Sequence, residues 1–372
     1  MKKRNKIIMI IGLILLIVVT TFVLLDGTFL KKKYASVWSE GYIDQLENDQ
    51  ERMIAFGIRS ASSHNSQPWL VKIVDQNTIE LYVDTRKSLP VVDGDHKQLL
   101  MSQGTFIEGY IAGANHYGYK AEITYAIADF DQKKPLIATI RVQKELSSVT
   151  SDAVTSSTYD AMTMDKDTNL KDKLDQVFTD YPGFSYLIVD SNQEVEKLEG
   201  LLLEGTVIES QDEAATKELL NVFRFTEWQK NQFRNGLSLS TLPAIIKPFI
   251  QPIMNFSSDD WKSFGEGSIK QFKQQLDKQD KYILIRHDAS SDKDYVLAGQ
   301  LYQKLIFEIG NYNLRPAMQV LENFEAMQKL NRDFQQAYGY SEEVVMILAV
   351  QSKTNTSMVS NPRHLVDDIL LK

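Results

Sequence analysis

The pattern of apolar positions changes period repeatedly along the chain, and each change marks a new element. From Ile7 to Leu25 there is no charged residue, and Ile, Leu and Val dominate; Lys2, Lys3, Arg4 and Lys6 come before. As a helix the run spans about 30 Å, the hydrocarbon thickness of a bilayer. This predicts a single membrane anchor within residues 1–33. A cleaved signal peptide is the second reading, but its apolar region is usually about 7–15 residues, and Leu25-Asp26-Gly27 is a poor cleavage site. Four basic positions before the run and Lys31, Lys32 and Lys33 after it nearly balance. The first helix favours an inside N-terminus, with the large domain outside the cytoplasm.

Beyond the anchor a helical period predicts a helix from Ala35 to Phe56, with Trp38, Tyr42 and Leu46 four residues apart and Gly57 as its stop. Alternating, β-branched runs at Trp69–Val74 and Thr78–Val83 predict a hairpin turned by Asp75-Gln76-Asn77. A helix over Gln98–Tyr117 follows, with Leu99, Phe106, Ile107, Tyr110 and Ala114 on its buried face and Gly118 at its end. Strands at Lys120–Ala128 and Leu136–Val142 complete a first half, residues 34–146. A second half, 147–372, opens on the Ser/Thr-rich stretch Ser147–Thr158, which suits a linker or surface crossing. It continues with helical segments, a strand at Tyr282–Arg286, helices at Val296–Gly310 and Pro316–Tyr338, and a strand at Val344–Val350.

The stretch Arg59-Ser60-Ala61-Ser62-Ser63-His64-Asn65-Ser66-Gln67-Pro68-Trp69 concentrates hydroxyls, two amides and an imidazole just before a strand. Ser62 and Ser63 each donate and accept, and Asn65 and Gln67 each carry one carbonyl and one amide, so together they suit a polar ligand such as a ring edge or a ribityl chain. Such a turn also serves to satisfy its own backbone, the commoner use of Ser/Asn-rich loops.

These residues resemble the flavin-contacting motif of the nitroreductase superfamily, most of all its Acg-like branch, where a Ser-Ser-His-Asn-x-Gln-Pro-Trp run follows a helix. Leu81-Tyr82-Val83-Asp84 with Arg86, Leu89-Pro90 and Asp93 is similar to the next block of that branch, and Ser102-x-Gly104 to the one after. Asn361-Pro362-Arg363-His364-Leu365 is similar to its closing Pro-Arg-Arg segment. The matching pieces span roughly residues 50 to 372, with a poorly matched middle. Gly104-Thr105-Phe106-Ile107 with Tyr110-Ile111 lines up against Gly299-Gln300-Leu301-Tyr302 with Leu305-Ile306, an alignment that ordinary helical core spacing also produces.

The resemblance implies an α+β, nitroreductase-like fold: two related sheet-and-helix halves in one chain, a pseudo-dimer, preceded by one transmembrane helix. It implies FMN at the interface between the halves, contacted by Ser62, Ser63, His64, Asn65 and Gln67 and by Arg363, whose guanidinium suits a flavin phosphate. FMN would then carry two electrons to a nitro, quinone or similar small-molecule acceptor. The alternative is a non-catalytic flavin-binding or degenerate scaffold protein of the cell envelope. Three departures bear on this. Ala61 stands where the family commonly has proline, and His364 where it often has a second arginine. Asp152–Met162, corresponding to an arginine-rich phosphate-binding segment, holds no arginine or lysine.

Composition narrows the alternatives. The 372 residues are 43% hydrophobic and 24% charged, an ordinary globular balance. A net charge of -8 and the lack of a basic, aromatic-interleaved stripe give no electrostatic reason to expect nucleic acid or an anionic membrane surface as a partner of the main domain. With no cysteine, thiolate nucleophiles, disulfides, iron–sulfur clusters and Cys-based zinc sites are excluded. The five histidines show no H-x-x-x-H or H-E-x-x-H spacing, and Asp93-Gly94-Asp95-His96 lacks the rest of a calcium loop. No G-x-S-x-G elbow, Walker loop or G-x-G-x-x-G is present. The proline-punctuated run Ser238–Ile250 suits a lid, a membrane-surface contact or core packing.

Overall fold

The computed structural model describes residues 2–127, 130, 135–145, 170–238, 243, 245–256, 260–276, 279, 281–288, 291–310, 312–352 and 361–371. Ser147–Thr158 and Asp152–Met162 lie outside them. Helix α1 (Lys2–Asp26) is long and apolar enough over Arg4–Asp26 to cross a membrane.

The single helix expected over Ala35–Phe56 is broken into a 3-10 turn (Lys33–Trp38), a short α2 (Glu40–Ile43) and α3 (Asp49–Ile58). Asn48 is the reason: its backbone is extended, and its side chain accepts the Glu51 N–H, so α3 starts afresh behind its own cap. Gly57 does not stop α3. A Cβ there would come within 2.7 Å of the Phe106 ring, so its missing side chain makes room for core packing instead.

Strands β1 (Trp69–Asp75) and β2 (Thr78–Val83) form the expected hairpin, helix α4 (Lys97–His116) buries all five predicted core residues, and β3 (Tyr119–Tyr125) and β4 (Leu136–Lys144) follow. The sheet is antiparallel throughout, in the order β1-β2-β4-β3. The chain continues as α5 (Leu170–Phe178), β5 (Phe184–Val189), α6 (Asn192–Gln211), α7 (Glu213–Val222), α8 (Glu227–Phe233), α9 (Lys247–Phe256), α10 (Trp261–Leu276), β6 (Lys281–His287), α11 (Asp292–Glu308), β7 (Tyr312–Pro316), α12 (Gln328–Tyr338), β8 (Glu343–Ser352) and α13 (Val366–Ile369). The second antiparallel sheet runs β5-β6-β8-β7, the same order as the first.

Strand β5 was not expected, since it sits at a sheet edge and its four central residues are only partly buried, so no alternation marks it. The helix expected over Pro316–Tyr338 begins only at Gln328. Pro316 instead ends β7, whose ladder the Ala317 N–H extends by donating to Ile347 O at 2.9 Å.

The α+β fold is held at its centre by α4 crossing α11 at two glycines. A Cβ on Gly104 would lie 1.8 Å from Val296 O, and one on Gly299 would lie 1.9 Å from Met101 O. Glycine and facing carbonyl are thus exchanged between the two helices, on the positions that align Gly104-Thr105-Phe106-Ile107 with Gly299-Gln300-Leu301-Tyr302. One apolar core runs from the first sheet through α4 and α11 to Ile283, Ile285 and Leu348; Tyr282, Leu284 and Ile347 face the other way, against α6 and α12. The last residues return to the first sheet. Val366 and Ile369 are buried, and the Leu371 N–H donates to Val71 O at 2.7 Å beside β1.

Candidate functional site

A cavity of about 380 Å³, within the usual range for a small-molecule site, opens where the 61–65 loop, α4, α6, α11, the 316–322 turn and the C-terminal segment meet. Ser62, Ser63, His64, Asn65 and Arg363 line it. Gln67 does not.

The loop is built from unusual backbone. His64, Asn65 and Gln67 all have positive φ (48°, 53° and 52°), a region that Asn and His tolerate better than most residues. Hydrogen bonds to the two crossing helices fix it. The Ser63 N–H donates to Ser102 Oγ at 3.0 Å, the Ser63 hydroxyl to Gln98 Oε1 at 2.8 Å, and the Ala61 N–H to Gln303 Oε1 at 3.0 Å. Below the loop, the fully buried Trp69 donates its indole N–H to Ser102 O at 2.6 Å. Ser102 and Gly104 thus serve loop support and helix crossing respectively.

Asn65 and Gln67 lock this loop to the far end of the chain. Asn65 Nδ2 donates to Gly236 O and Pro362 O, both at 2.9 Å, and its Oδ1 accepts from the Arg363 guanidinium. Gln67 Nε2 donates to Arg234 O and Pro362 O, both at 3.1 Å, and its Oε1 accepts the His364 N–H at 2.9 Å. Arg363 also donates to Ser60 O at 3.2 Å and lies over the Trp38 ring, 5.1 Å from its centroid. Gln67, expected at the ligand, stands outside the cavity lining and spends its amide on these bonds. Its amide is fully buried and braces the loop, because leaving those carbonyls unsatisfied would be costly. His364 faces away from the cavity, against Gln67, Lys87 and Asp368.

Burial shifts the remaining titratable groups toward their neutral forms. His64 lines the cavity half-buried, and desolvation pushes its imidazole down to about 4, so it stays uncharged at neutral pH. No hydrogen bond to this ring is found among the described residues. On the other wall stand Glu209 of α6 and Glu322, both almost fully buried. Burial pushes Glu209 up to about 7; burial, then repulsion from Glu209, Asp93 and Glu218, lifts Glu322 well above its ordinary range. Glu322 Oε2 and Gln319 Oε1 have no hydrogen-bond partner among the described residues. The cavity therefore presents an imidazole, hydroxyls, several amides and two carboxyls that burial shifts toward the protonated form, with one guanidinium. Among the described residues no group of three or more His, Asp or Glu is placed to hold a metal.

Glu209, Glu322 and Gln319 belong to no motif. One signal was available for Glu209: Leu198, Leu202, Gly205 and Glu209 follow helical spacing, which puts a carboxylate on the buried stripe of α6.

These acids set a pH dependence. A carboxyl whose folded value is raised makes the native state hold more protons than the unfolded chain, so stability falls as pH rises between the two values. For Glu209 the window runs from its ordinary 4.5 to about 7. The urea midpoint is expected to be lower at about pH 8 than at about pH 5, and Glu209→Gln is expected to shrink that difference. An unchanged difference in the variant would remove Glu209 as its source.

No protein-family model matches the chain, and no curated protein matches it.

Proposed function

We propose that this protein is a membrane-anchored, nitroreductase-like flavoprotein that binds FMN in this cavity and passes two electrons to a nitro, quinone or similar acceptor. The supporting observation is that the Ser62–Asn65 loop and Arg363, some three hundred positions apart in the chain, line one cavity beside the α4–α11 crossing. That is where the resemblance puts the flavin of two nitroreductase-type halves fused in one chain.

The groups present fit the cofactor. Gln98, Gln319, Ser63 and His64 offer the donors and acceptors a flavin ring edge requires, and Gln319 Oε1 and Glu322 Oε2, without a partner among the described residues, are suited to a hydrogen-bonding ligand. Arg363 is the cation for the phosphate. When bound, FMN supplies the two-electron chemistry. The chain's own residues do the rest. Asn65 orients Arg363, Gln67 holds the loop closed onto the C-terminal segment, and Met101, Tyr302 and Met346 exclude water. Glu209 and Glu322 keep protons at the cavity wall, where a reduced acceptor needs them.

With the N-terminus inside, the domain stands outside the cytoplasm, and a membrane quinol is the electron donor suited to that side. The engagement of Arg363 with Asn65 and Ser60 leaves less of its guanidinium for a phosphate and favours one competing reading, a non-catalytic flavin-binding or degenerate scaffold protein. The test is to load the full chain in detergent with FMN, add a quinol without oxygen, then a nitro compound or quinone. Bleaching followed by recovery of the flavin spectrum is expected. Bound flavin that neither donor nor acceptor changes would leave only the non-catalytic flavin-binding reading.

A further inference from the structure

The end of α1 is not a free stalk. Trp228 of α8 lies against Gly27, where a Cβ would come within 2.8 Å of its ring, and its indole N–H donates to Leu24 O at 2.9 Å. Phe29 packs edge-on against the same indole, with centroids 5.9 Å apart. Helix α9 is joined to α8 by Gln229 Nε2 donating to Asn255 Oδ1 at 2.7 Å, and to α1 by Phe249, whose ring centroid is 5.7 Å from that of Phe22. These contacts fix the height of α9 relative to the membrane. Phe22 lies four positions before the end of the span at Asp26, about 6 Å inside it at 1.5 Å per residue.

At that depth an amphipathic helix rests in the boundary between headgroups and acyl chains. The residues turned outward there suit lipid rather than water. Ile245 is 81% exposed, Ile253 50%, Phe29 57% and Trp228 47%. Exposed Lys31, Lys32 and Lys33 follow α1 directly, where their long side chains reach the headgroup level.

We propose that α9, with Ile245, Trp228 and Phe29, is embedded in the headgroup region of the bilayer that α1 crosses, so that the domain is seated on the membrane surface. The occupant of this face is phospholipid, because the face is continuous with the span. The reading is independent of flavin binding and rests on α1 crossing a bilayer. It also resolves the Ser238–Ile250 run, of which residues 239–242 and 244 lie outside the described residues, in favour of a membrane-surface contact.

The chain has no cysteine, so single nitroxide labels can be placed at Ile245→Cys, Ile253→Cys and, as an exposed control away from α1, α8 and α9, Tyr340→Cys. The full chain is reconstituted into phosphatidylcholine–phosphatidylglycerol vesicles, and flotation with the vesicles establishes insertion. Labels at 245 and 253 are expected to collide more often with dissolved oxygen than with a water-soluble nickel chelate, and the label at 340 the reverse. Nickel-dominated collisions at 245 and 253 would overturn the proposal in favour of a stalk. Low collision with both reagents would overturn it in favour of a second copy of the chain covering the face. Failure to float would remove the anchor along with the seat.

Discussion

Alanine at Gly299 is expected to cost about 3 kcal/mol of stability, the upper end of the range for overpacking a core. The added Cβ would lie 1.9 Å from a backbone carbonyl oxygen of α4, and backbone inside a helix cannot rotate aside as a side-chain tip does. The two helices would have to separate, loosening the core that joins the sheets. Gly104→Ala meets Val296 O in the same way and is expected to cost about as much. Because both strain one crossing, the double variant is expected to cost less than the sum. Gly200 in α6 is the internal control. Nothing lies within 4 Å of a Cβ there, so Gly200→Ala is expected to stabilise by about 0.5–1 kcal/mol through helix propensity. Urea unfolding of the detergent-solubilised chain measures all four; a Gly299→Ala midpoint at or above wild type would disprove the tight crossing.

Asn65→Ala is expected to cost a comparable amount, about 3 kcal/mol, together with loss of ligand binding. Three contacts end at once. The buried Arg363 guanidinium loses an acceptor, and the carbonyls of Gly236 and Pro362 each lose a donor. Alanine at φ 53° adds left-handed strain of about 1 kcal/mol. Asn65→Gly relieves that strain without restoring the contacts, so the difference between the two variants separates backbone from side chain. Asn65→Asp restores the acceptor for Arg363 but places a carboxylate against two carbonyls, and is expected to remain defective. If Asn65→Gly proves as stable as wild type, the bonds to the C-terminal segment contribute nothing and the account of the loop fails.

Much of the first half was legible because its elements are regular and marked by local chemistry. The hairpin carries β-branched alternation around Asp75-Gln76-Asn77, and α4 carries a clear apolar face ending at Gly118. The failures lie where a cap or a sheet edge overrides periodicity. Asn48 restarts a helix in the middle of an apolar repeat, Pro316 belongs to a ladder that only tertiary pairing reveals, and β5 shows no alternation. Of the candidate site, five of six residues chosen from the sequence do line the cavity. Gln67 does not, because nothing local distinguishes an amide that meets a ligand from one that satisfies carbonyls brought from residues 234 and 362. The pairing of the acidic wall was invisible for the same reason: the buried stripe of α6 marks Glu209 alone, and Glu209 and Glu322 become neighbours only when α6 and the turn after β7 fold over the loop.

The central claim is that the cavity beside the α4–α11 crossing holds flavin, and retention tests it most directly. The purified full chain and its Met318→Trp variant, which fills the cavity from the 316–322 turn, are incubated with FMN, passed through a desalting column, and examined by visible absorption. Flavin absorbance that stays with wild type and is absent from Met318→Trp is the expected result. A colourless wild-type protein, or a variant as yellow as wild type, would contradict it.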